Sequence, residues 1–288
     1  MSEKYKKAED AGFCRGIELP DEMSAVSFSY IPLSTCDFAY IVSDIVKQGD
    51  FSQKSFIDVG CGVPIYSDFM KDLGCKEAHG LEYNTKIIKT VAPYYPDIEL
   101  HVGDMLKYQD YGKYDILYSY NPLRNSQRMD DALLLIMEQM KIGSVLYFVP
   151  ATVSLNLEMW GFERLTNHNI HNVFKFYKFT KILPFQQMIQ GRIDRISPFL
   201  EVIRYYVDDG YKGAIEQWEE KEMSMFLSLL SYLDSFSLEE KKKLILEIER
   251  YIPIIDEYYE LVPYVSLDTL RDFLKSLPYS FRCLEERL

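Results

Sequence analysis

Short apolar runs alternate with amphipathic stretches from residue 55 to residue 149, and this alternation limits the possible folds more than any other feature. Strands that are separated by helices lie parallel, and strands that are apolar on both sides must be covered on both faces. The pattern therefore predicts a doubly wound α/β fold with a mostly parallel sheet. The predicted strands are Ser55–Val59, Ala78–Glu82, Ile98–Val102, Tyr114–Ser119 and Ser144–Val149, and the predicted helices are Ile65–Leu73, Asn84–Ala92 and Met129–Met140.

Two further β-type runs, Phe162–Thr166 and Asn172–Phe179, follow the alternating region. Only Asn167–His171 separates them, which is too short for a helical crossover. They are therefore predicted to pair as an antiparallel hairpin at the edge of the sheet. Together with the five runs before them, they predict a seven-stranded sheet that ends in an antiparallel hairpin.

The segments on either side of the sheet have different patterns. Residues 1–29 are polar and irregular and predict an N-terminal arm, so the sheet domain is assigned to residues 30–183. This domain opens with a helix, because Phe38, Ile41 and Ile45 recur at helical spacing. After Leu183 there is almost no strand signal and apolar residues again recur at helical spacing. Residues 184–288 are therefore predicted to form a C-terminal all-helical domain.

The charge and the cysteines limit the partners and the compartment. Thirty-two basic and 44 acidic residues give a net charge of −12, and an acidic surface gains no counterion release from nucleic acid or anionic lipid. Nucleic acid is thus a disfavoured partner, and no membrane association is expected. The five cysteines show no zinc-type or disulfide spacing. Reduced thiols, a cytoplasmic location and the absence of a metal site are the corresponding predictions.

The most informative motif follows the first predicted strand. Asp58, Gly60 and Gly62 lie where this strand turns into the next helix, in a segment that we call the glycine turn (residues 60–64). Glycine permits a tight turn there and lets a ligand approach the backbone without a Cβ in the way. The amides at the start of the helix face the same crevice. This motif alone is a weak signal for a ligand site.

Acidic and polar residues end the next three strands as well. Glu82 ends the second strand, about 20 residues after the glycine turn, where a carboxylate can accept hydrogen bonds from ribose hydroxyls. Asp104 follows the third strand and can accept from an adenine amino group. The fourth strand runs into Ser119, Tyr120 and Asn121. Since the carboxyl ends of parallel strands share one edge, these residues are expected to meet in one crevice.

The chain from about Tyr30 to Phe179 resembles a class I, seven-stranded S-adenosylmethionine-dependent methyltransferase. The family's glycine motif matches Asp58, Gly60 and Gly62, and its closing feature is a reversed last strand in a hairpin. The resemblance implies an S-adenosylmethionine cofactor with Glu82 on the ribose, Asp104 on the adenine side and Met105 over the adenine ring. The cofactor-binding residues that it implies are Asp58, Gly60, Cys61, Gly62, Glu82, Tyr83, Asp104, Met105, Ser119 and Asn121.

The sequence departs from the family pattern at two places. Pro64 replaces the third motif glycine; proline suits the first turn of a helix, so the loop is expected to survive with altered helix packing. The amino-methylating branch of the family carries Pro and an aromatic residue after Asn121-Pro122, where this chain has Leu123-Arg124. Methylation of an amine is therefore weakly supported. The nearest rival, a nicotinamide-dependent dehydrogenase, would require glycine at Ile65 and would not predict the terminal hairpin.

The acceptor is constrained mainly by charge. Methyl transfer is an in-line displacement, so most of the catalysis would come from positioning, with Tyr120 and Asn121 as catalytic candidates by location. His168 and His171 in the hairpin turn fit two solvated imidazoles better than a base or a pair of metal ligands. An acidic chain favours a small-molecule or metabolite acceptor, then a protein, then nucleic acid. The helical domain would provide acceptor specificity or a homodimer contact. A methyltransferase-like scaffold without catalysis, in which that domain binds a partner, remains the alternative.

Overall fold

Seven strands form one mixed sheet in this computed structural model, which describes residues 35–47, 49–120, 122–150, 152, 153, 155, 157, 158, 160–165, 175–191, 237 and 238. The strands are β1 (Ser55–Val59), β2 (Glu77–Glu82), β3 (Glu99–Val102), β4 (Ile116–Tyr120), β5 (Val145–Val149), β6 (Phe162–Arg164) and β7 (Tyr177–Thr180). Their order across the sheet is β3-β2-β1-β4-β5-β7-β6. The first five strands pair in parallel, whereas β7 is antiparallel to both β5 and β6. The predicted seven-stranded sheet with an antiparallel terminal hairpin is confirmed.

Helices connect the parallel strands. Those described before the terminal hairpin are α1 (Thr35–Lys47), α2 (Ile65–Asp72), α3 (Thr85–Val91) and α4 (Ser126–Gln139), with 3-10 turns at Ala92–Tyr94 and Tyr111–Lys113. Asn84 caps α3 by accepting hydrogen bonds from the backbone amides of Lys86 and Ile87. Asn125 caps α4 in the same way through the Arg128 amide. Asparagine is a favoured N-cap because its side-chain oxygen accepts from amides that have no partner within the helix.

The sheet is covered on both faces. All residues of β1 and β5 are buried, which is typical of central strands that pack against other elements on either side. On one face Phe38 of α1 and Tyr66 of α2 pack against Tyr118 of β4, with ring centroids 5.3 and 5.1 Å away. The same apolar cluster includes Ile87 of α3, so three helices share one core. This packing fixes the sheet whose carboxyl edge carries the candidate site.

The chain divides into two compact units, Met1–Pro184 and Phe185–Leu288. Within the second unit, residues 185–191 are helical. The predicted arm at residues 1–29 and almost all of the predicted helical domain at residues 184–288 lie outside the described residues and stay predictions. In the part of the chain that the structure describes, no helix has the length and apolar character needed to cross a membrane.

Candidate functional site

The glycine turn joins the end of β1 to α2 and is held against the neighbouring strand. The backbone amides of Gly60 and Cys61 both donate to the Leu81 carbonyl of β2, at 2.8 and 3.0 Å. Gly60 has φ +80° and Gly62 has φ +54°, a left-handed conformation that favours glycine. A Cβ on Gly60 would lie 2.5 Å from the Cβ of Pro122. The turn therefore requires glycine at residue 60 for both conformation and space.

Cys61 and Pro64 complete the turn in different ways. Cys61 is buried, and its Sγ lies 2.7 Å from where a Cβ on Gly80 would be, so the thiol fills space left by a glycine of β2. Burial raises the pKa of the Cys61 thiol well above its ordinary value. Pro64 takes the N-cap position of α2 and makes no side-chain cap hydrogen bond. It thus stands just before the helix, which begins at Ile65 as the sequence predicted.

Glu82 ends β2 and links the ends of two neighbouring strands. Its Oε2 accepts a hydrogen bond from the Gly62 amide at 2.9 Å, and its Oε1 accepts one from the Asn84 amide at 2.8 Å. Burial raises the pKa of the Glu82 carboxyl, and the hydrogen bonds from these amides oppose that effect. The carboxylate is thereby fixed in direction beside the glycine turn.

Asp58 is the most deeply buried acid of the site. Its side chain is 2% exposed, and its Oδ2 has no hydrogen-bond partner among the residues that the structure describes. Burial first, and the charge of Glu82 second, raise the pKa of Asp58 well above its ordinary value. A buried carboxyl oxygen without a hydrogen-bond partner is costly, because that oxygen has lost its hydration without gaining a replacement. Such an atom fits a ligand that brings its own donor.

Asp104 begins a turn directly after β3. Its Oδ1 accepts from the Leu106 amide at 3.0 Å, and its Oδ2 lies 3.8 Å from Nη2 of Arg128 on α4. Met105 is buried, and its carbonyl accepts a hydrogen bond from the Tyr111 hydroxyl at 2.8 Å. The turn is thus anchored by its own backbone and by the segment that leads to β4.

The remaining predicted site residues have different surroundings. Ser119 is fully buried, and its hydroxyl donates to the Val59 carbonyl at 3.1 Å, so it joins β4 to β1. Tyr83 is 53% exposed, and Tyr120 is half-buried at the last position of β4. Asn121 lies outside the described residues, as do His168 and His171 of the hairpin turn.

Two residues contribute to the site in ways that the sequence did not predict. Pro122 occupies the space beside Gly60, although the sequence had drawn attention to it only in the comparison with the amino-methylating branch of the family. The Asn84 amide holds Glu82, whereas only the position of Asn84 at the start of α3 was visible in the sequence. Asn84 could have been found from the sequence, because asparagine directly after a strand and before a helix favours the N-cap position. No local signal indicates the contact of Pro122 with Gly60, since it depends on the approach of two strand ends.

No protein-family model matches this chain, and no curated protein is similar to it in sequence. Many solved structures resemble it in fold. A putative RNA methyltransferase from Pyrococcus horikoshii is 18% identical over 64% of this chain and 100% of that chain, with a TM-score of 0.43. An RNA methyltransferase from Salinibacter ruber in complex with S-adenosylhomocysteine is 12% identical over 53% of this chain and 94% of that chain, with a TM-score of 0.40. An N-methyltransferase from Bradyrhizobium japonicum is 10% identical over 52% of this chain and 100% of that chain, with a TM-score of 0.39.

These are likenesses of fold. The seven-stranded sheet with its antiparallel β7 is consistent with the class I, Rossmann-like methyltransferase fold that the sequence predicted. The residues present also fit the cofactor of that class, because a glycine turn, a fixed carboxylate at the end of β2 and a buried acceptor without a donor adjoin one another. The likenesses of fold do not identify the acceptor, which has to be inferred from the residues of this chain.

Proposed function

We propose that this protein is an S-adenosylmethionine-dependent methyltransferase that acts on a small-molecule acceptor. The observation that carries the proposal is the contact between the Glu82 carboxylate and the Gly62 amide, at 2.9 Å. This contact joins Glu82, the acid proposed to bind the ribose, to the glycine turn at the end of the adjacent strand. Such a crevice at the carboxyl ends of parallel strands is the usual ligand position in doubly wound sheets.

Glu82 is the residue proposed to bind the ribose. A carboxylate has about four lone-pair positions, and each oxygen of Glu82 uses one of them for a backbone amide. The Tyr83 amide also acts on this carboxylate, so at least one acceptor position is left for a ribose hydroxyl. Because the amides already fix the direction of the carboxylate, binding costs little side-chain entropy.

Asp58 and Asp104 are proposed to complete the cofactor site. Asp58 Oδ2 would accept a hydrogen bond from a cofactor donor, which would relieve the cost of its burial. Asp104 is proposed to accept from the adenine amino group while its backbone turn holds it after β3. Met105, which is buried in the same turn, would supply apolar contact to the adenine ring.

Catalysis in this proposal depends on positioning. The bound cofactor supplies an activated methyl group, and the chain's task is to hold the acceptor atom in line with it. Tyr120 at the end of β4 and Asn121 directly after it are the proposed catalytic residues, because they follow the strand next to the glycine turn. The net charge of −12 supports a small molecule over RNA, since an acidic chain is repelled by phosphates.

Cofactor binding is tested by calorimetric titration of the full chain with S-adenosylhomocysteine. Wild type is expected to bind at one site, and Glu82→Ala is expected to lose more than about 1.5 kcal/mol, because a charged acceptor is removed. Glu77→Ala is the matched control, since Glu77 is an exposed glutamate at the opposite end of the same strand. Absence of binding by wild type at millimolar ligand, with no rise in melting temperature, would favour a non-catalytic scaffold.

The acceptor class is tested separately by the release of S-adenosylhomocysteine from S-adenosylmethionine. A cell extract is divided by ultrafiltration into small molecules and macromolecules, and each fraction is added to the full chain. Turnover is expected with the small molecules. Turnover only with the macromolecules would contradict a small-molecule acceptor but leave the cofactor assignment unchanged. Loss of that turnover after ribonuclease treatment would then identify RNA as the acceptor, and loss after protease treatment would identify a protein.

A further inference from the structure

A second polar cluster lies outside the proposed cofactor site, and we call it the histidine cluster: His79, Glu99, His101 and Tyr114. His79 belongs to β2, Glu99 and His101 belong to β3, and Tyr114 precedes β4. His79 is in register with Glu99, and His101 is in register with Leu81, so the pairing of the two strands brings both imidazoles to one face. Tyr114 reaches them from the segment between β3 and β4.

Three atoms of the histidine cluster form a close triangle. His79 Nδ1 lies 3.0 Å from His101 Nε2, and the Tyr114 hydroxyl oxygen lies 3.0 Å from the first nitrogen and 3.3 Å from the second. The same oxygen is also 3.0 Å from the Tyr108 hydroxyl. Each distance, taken alone, is that of a hydrogen bond.

Hydrogen bonds alone do not account for all three sides of this triangle. A ring nitrogen of histidine carries either a hydrogen or a lone pair in the ring plane, so it can donate or accept but not both. The hydroxyl contributes one further hydrogen. Whichever tautomers the two rings adopt, at least one side of the triangle joins two atoms with no hydrogen directed between them. A cation that accepts lone pairs from several atoms at once would interact favourably with all three atoms of the triangle.

Glu99 adds a negative charge to this group. Its Oε1 lies 3.7 Å from His101 Nε2, and its Oε2 lies 3.8 Å from His79 Nε2. One potential ligand atom from each of His79, Glu99 and His101 lies within 4.8 Å of the others. Glu99 is 66% exposed, whereas the two imidazoles are mostly buried, so the cluster is open to solvent on the carboxylate side.

We propose that His79, His101 and Glu99 bind a divalent transition metal ion of the Zn²⁺ type, with the Tyr114 hydroxyl beside it. Imidazole and carboxylate are ligands that Zn²⁺ takes at about 2.0–2.2 Å in a tetrahedral arrangement, which holds neighbouring ligand atoms roughly 3.3 Å apart. The one side of the triangle that joins two proposed ligands, from His79 Nδ1 to His101 Nε2, is 3.0 Å, and Glu99 Oε1 lies 3.7 Å from His101 Nε2, so both distances are close to that spacing. Small side-chain movements therefore suffice to admit the ion.

The ion would have a structural role. It would join the edge strand β3 to β2 and to the segment that carries Tyr108 and Tyr114. That segment begins at the Asp104 turn, so the ion would also stabilise the chain that follows β3. The sequence predicted no metal site, because its cysteines show no zinc-type spacing and because His168 and His171 have no third ligand near them in the sequence. Here the ligands come from two strands whose histidines are 22 residues apart.

The test is a Zn²⁺ titration of the full chain after chelator treatment, in competition with a chromophoric chelator. The chain has four histidines, so the double variant His168→Ala/His171→Ala is the control that keeps the proposed site and removes the other two. One ion per chain is expected for wild type and for this control. His101→Ala is expected to bind more than about 100-fold more weakly, because the loss of even an outer-shell partner costs about 10–100-fold.

Glu99→Gln keeps the test decisive if a histidine variant does not fold, because its exposed side chain can change without disturbing the core. It is expected to weaken Zn²⁺ binding by more than about 10-fold, while Glu163→Gln, at an exposed glutamate of β6 on the opposite edge of the sheet, leaves it unchanged. At the same concentration, Zn²⁺ should also raise the melting temperature of wild type more than that of Glu99→Gln, whereas Mg²⁺ should raise neither. Wild type that binds no Zn²⁺, or Glu99→Gln and His101→Ala that bind it as tightly as wild type, would overturn the proposal.

Discussion

The two polar regions on β2 differ in the groups that form hydrogen bonds with their side chains. At the carboxyl end, Glu82 is held by the backbone amides of Gly62 and Asn84. In the middle of the same strand, His79 meets His101 and Tyr114, and all the contacts are between side chains. Backbone amides have fixed directions and single hydrogens, so both oxygens of Glu82 have a defined donor, whereas Asp58 Oδ2 has no hydrogen-bond partner among the described residues.

The difference between these regions indicates what each can bind. The first offers carboxylate acceptors beside a glycine turn and fits a ligand that brings hydrogen-bond donors. The second offers lone pairs that face one another with too few hydrogens and fits a cation. Changes in one region should therefore leave the ligand of the other unaffected.

The largest effect is expected at the glycine turn. Gly60→Ala places a methyl group 2.5 Å from Pro122 Cβ at φ +80°, so we expect a loss of about 2–5 kcal/mol in the free energy of unfolding and the loss of S-adenosylhomocysteine binding. Gly74→Ala is the control, because φ is +96° there and no atom lies within 4 Å, so it should cost only about 1–2 kcal/mol of backbone strain. Urea denaturation measures both, and equal losses would show that the contact with Pro122 is irrelevant.

The second prediction concerns pH and Asp58, whose pKa is raised by burial and by Glu82. The folded chain keeps this proton over a pH range in which the unfolded chain has lost it, so the contribution of Asp58 to stability falls as pH rises above about 4. Asp58→Asn lacks this titration. Its free energy of unfolding relative to wild type should therefore rise with pH, by at most about 1.4 kcal/mol per pH unit.

Urea denaturation of both proteins between about pH 4 and pH 8 provides the measurement. Asp97→Asn, at an exposed acid in the loop before β3, is the control. A constant difference between wild type and Asp58→Asn across that range would mean that Asp58 is ionised to the same extent in the folded and unfolded chains.

A smaller effect is expected in the histidine cluster without metal. Tyr114→Phe removes the hydroxyl that contacts Tyr108, His79 and His101, and we expect a loss of about 1 kcal/mol in the free energy of unfolding. Binding of S-adenosylhomocysteine should not change. Tyr108→Phe, which removes the neighbouring hydroxyl, is the matched variant. If Tyr114→Phe weakened that binding as much as Glu82→Ala, the two regions would not be independent.

The smallest effect is expected from Arg128→Ala. Its guanidinium lies 3.8 Å from Asp104 Oδ2 and is partly exposed, and ion pairs of this kind contribute about 0.5 kcal/mol or less. Asp104→Asn should weaken S-adenosylhomocysteine binding more than Arg128→Ala, because Asp104 is the proposed acceptor. The reverse order in a calorimetric titration would show that Arg128 contacts the ligand itself.

Much of the sheet could be predicted from local pattern. The bounds of β1 agree with the prediction residue for residue, because a short, mostly apolar run between a polar turn and a glycine has clear ends. In the described part of the hairpin, β6 covers Phe162–Arg164 and β7 covers Tyr177–Thr180, one residue beyond the predicted end, and residues 166 and 172–174 of the predicted strands lie outside the described residues. Side-chain character indicates that a strand exists, but hydrogen bonding with the partner decides where it ends.

The order of elements, the position of the glycine turn and the acidic residues at the ends of β2 and β3 were determined by the sequence alone, since each depends on neighbouring residues and on burial. Only the tertiary structure decided that Glu82 accepts from Gly62, that Pro122 lies against Gly60 and that His79 meets His101. These contacts join residues between 20 and 62 positions apart, and the last of them depends on the register of β2 against β3. A shift of that register by one residue would move one histidine to the opposite face, so no local pattern could have predicted the contact.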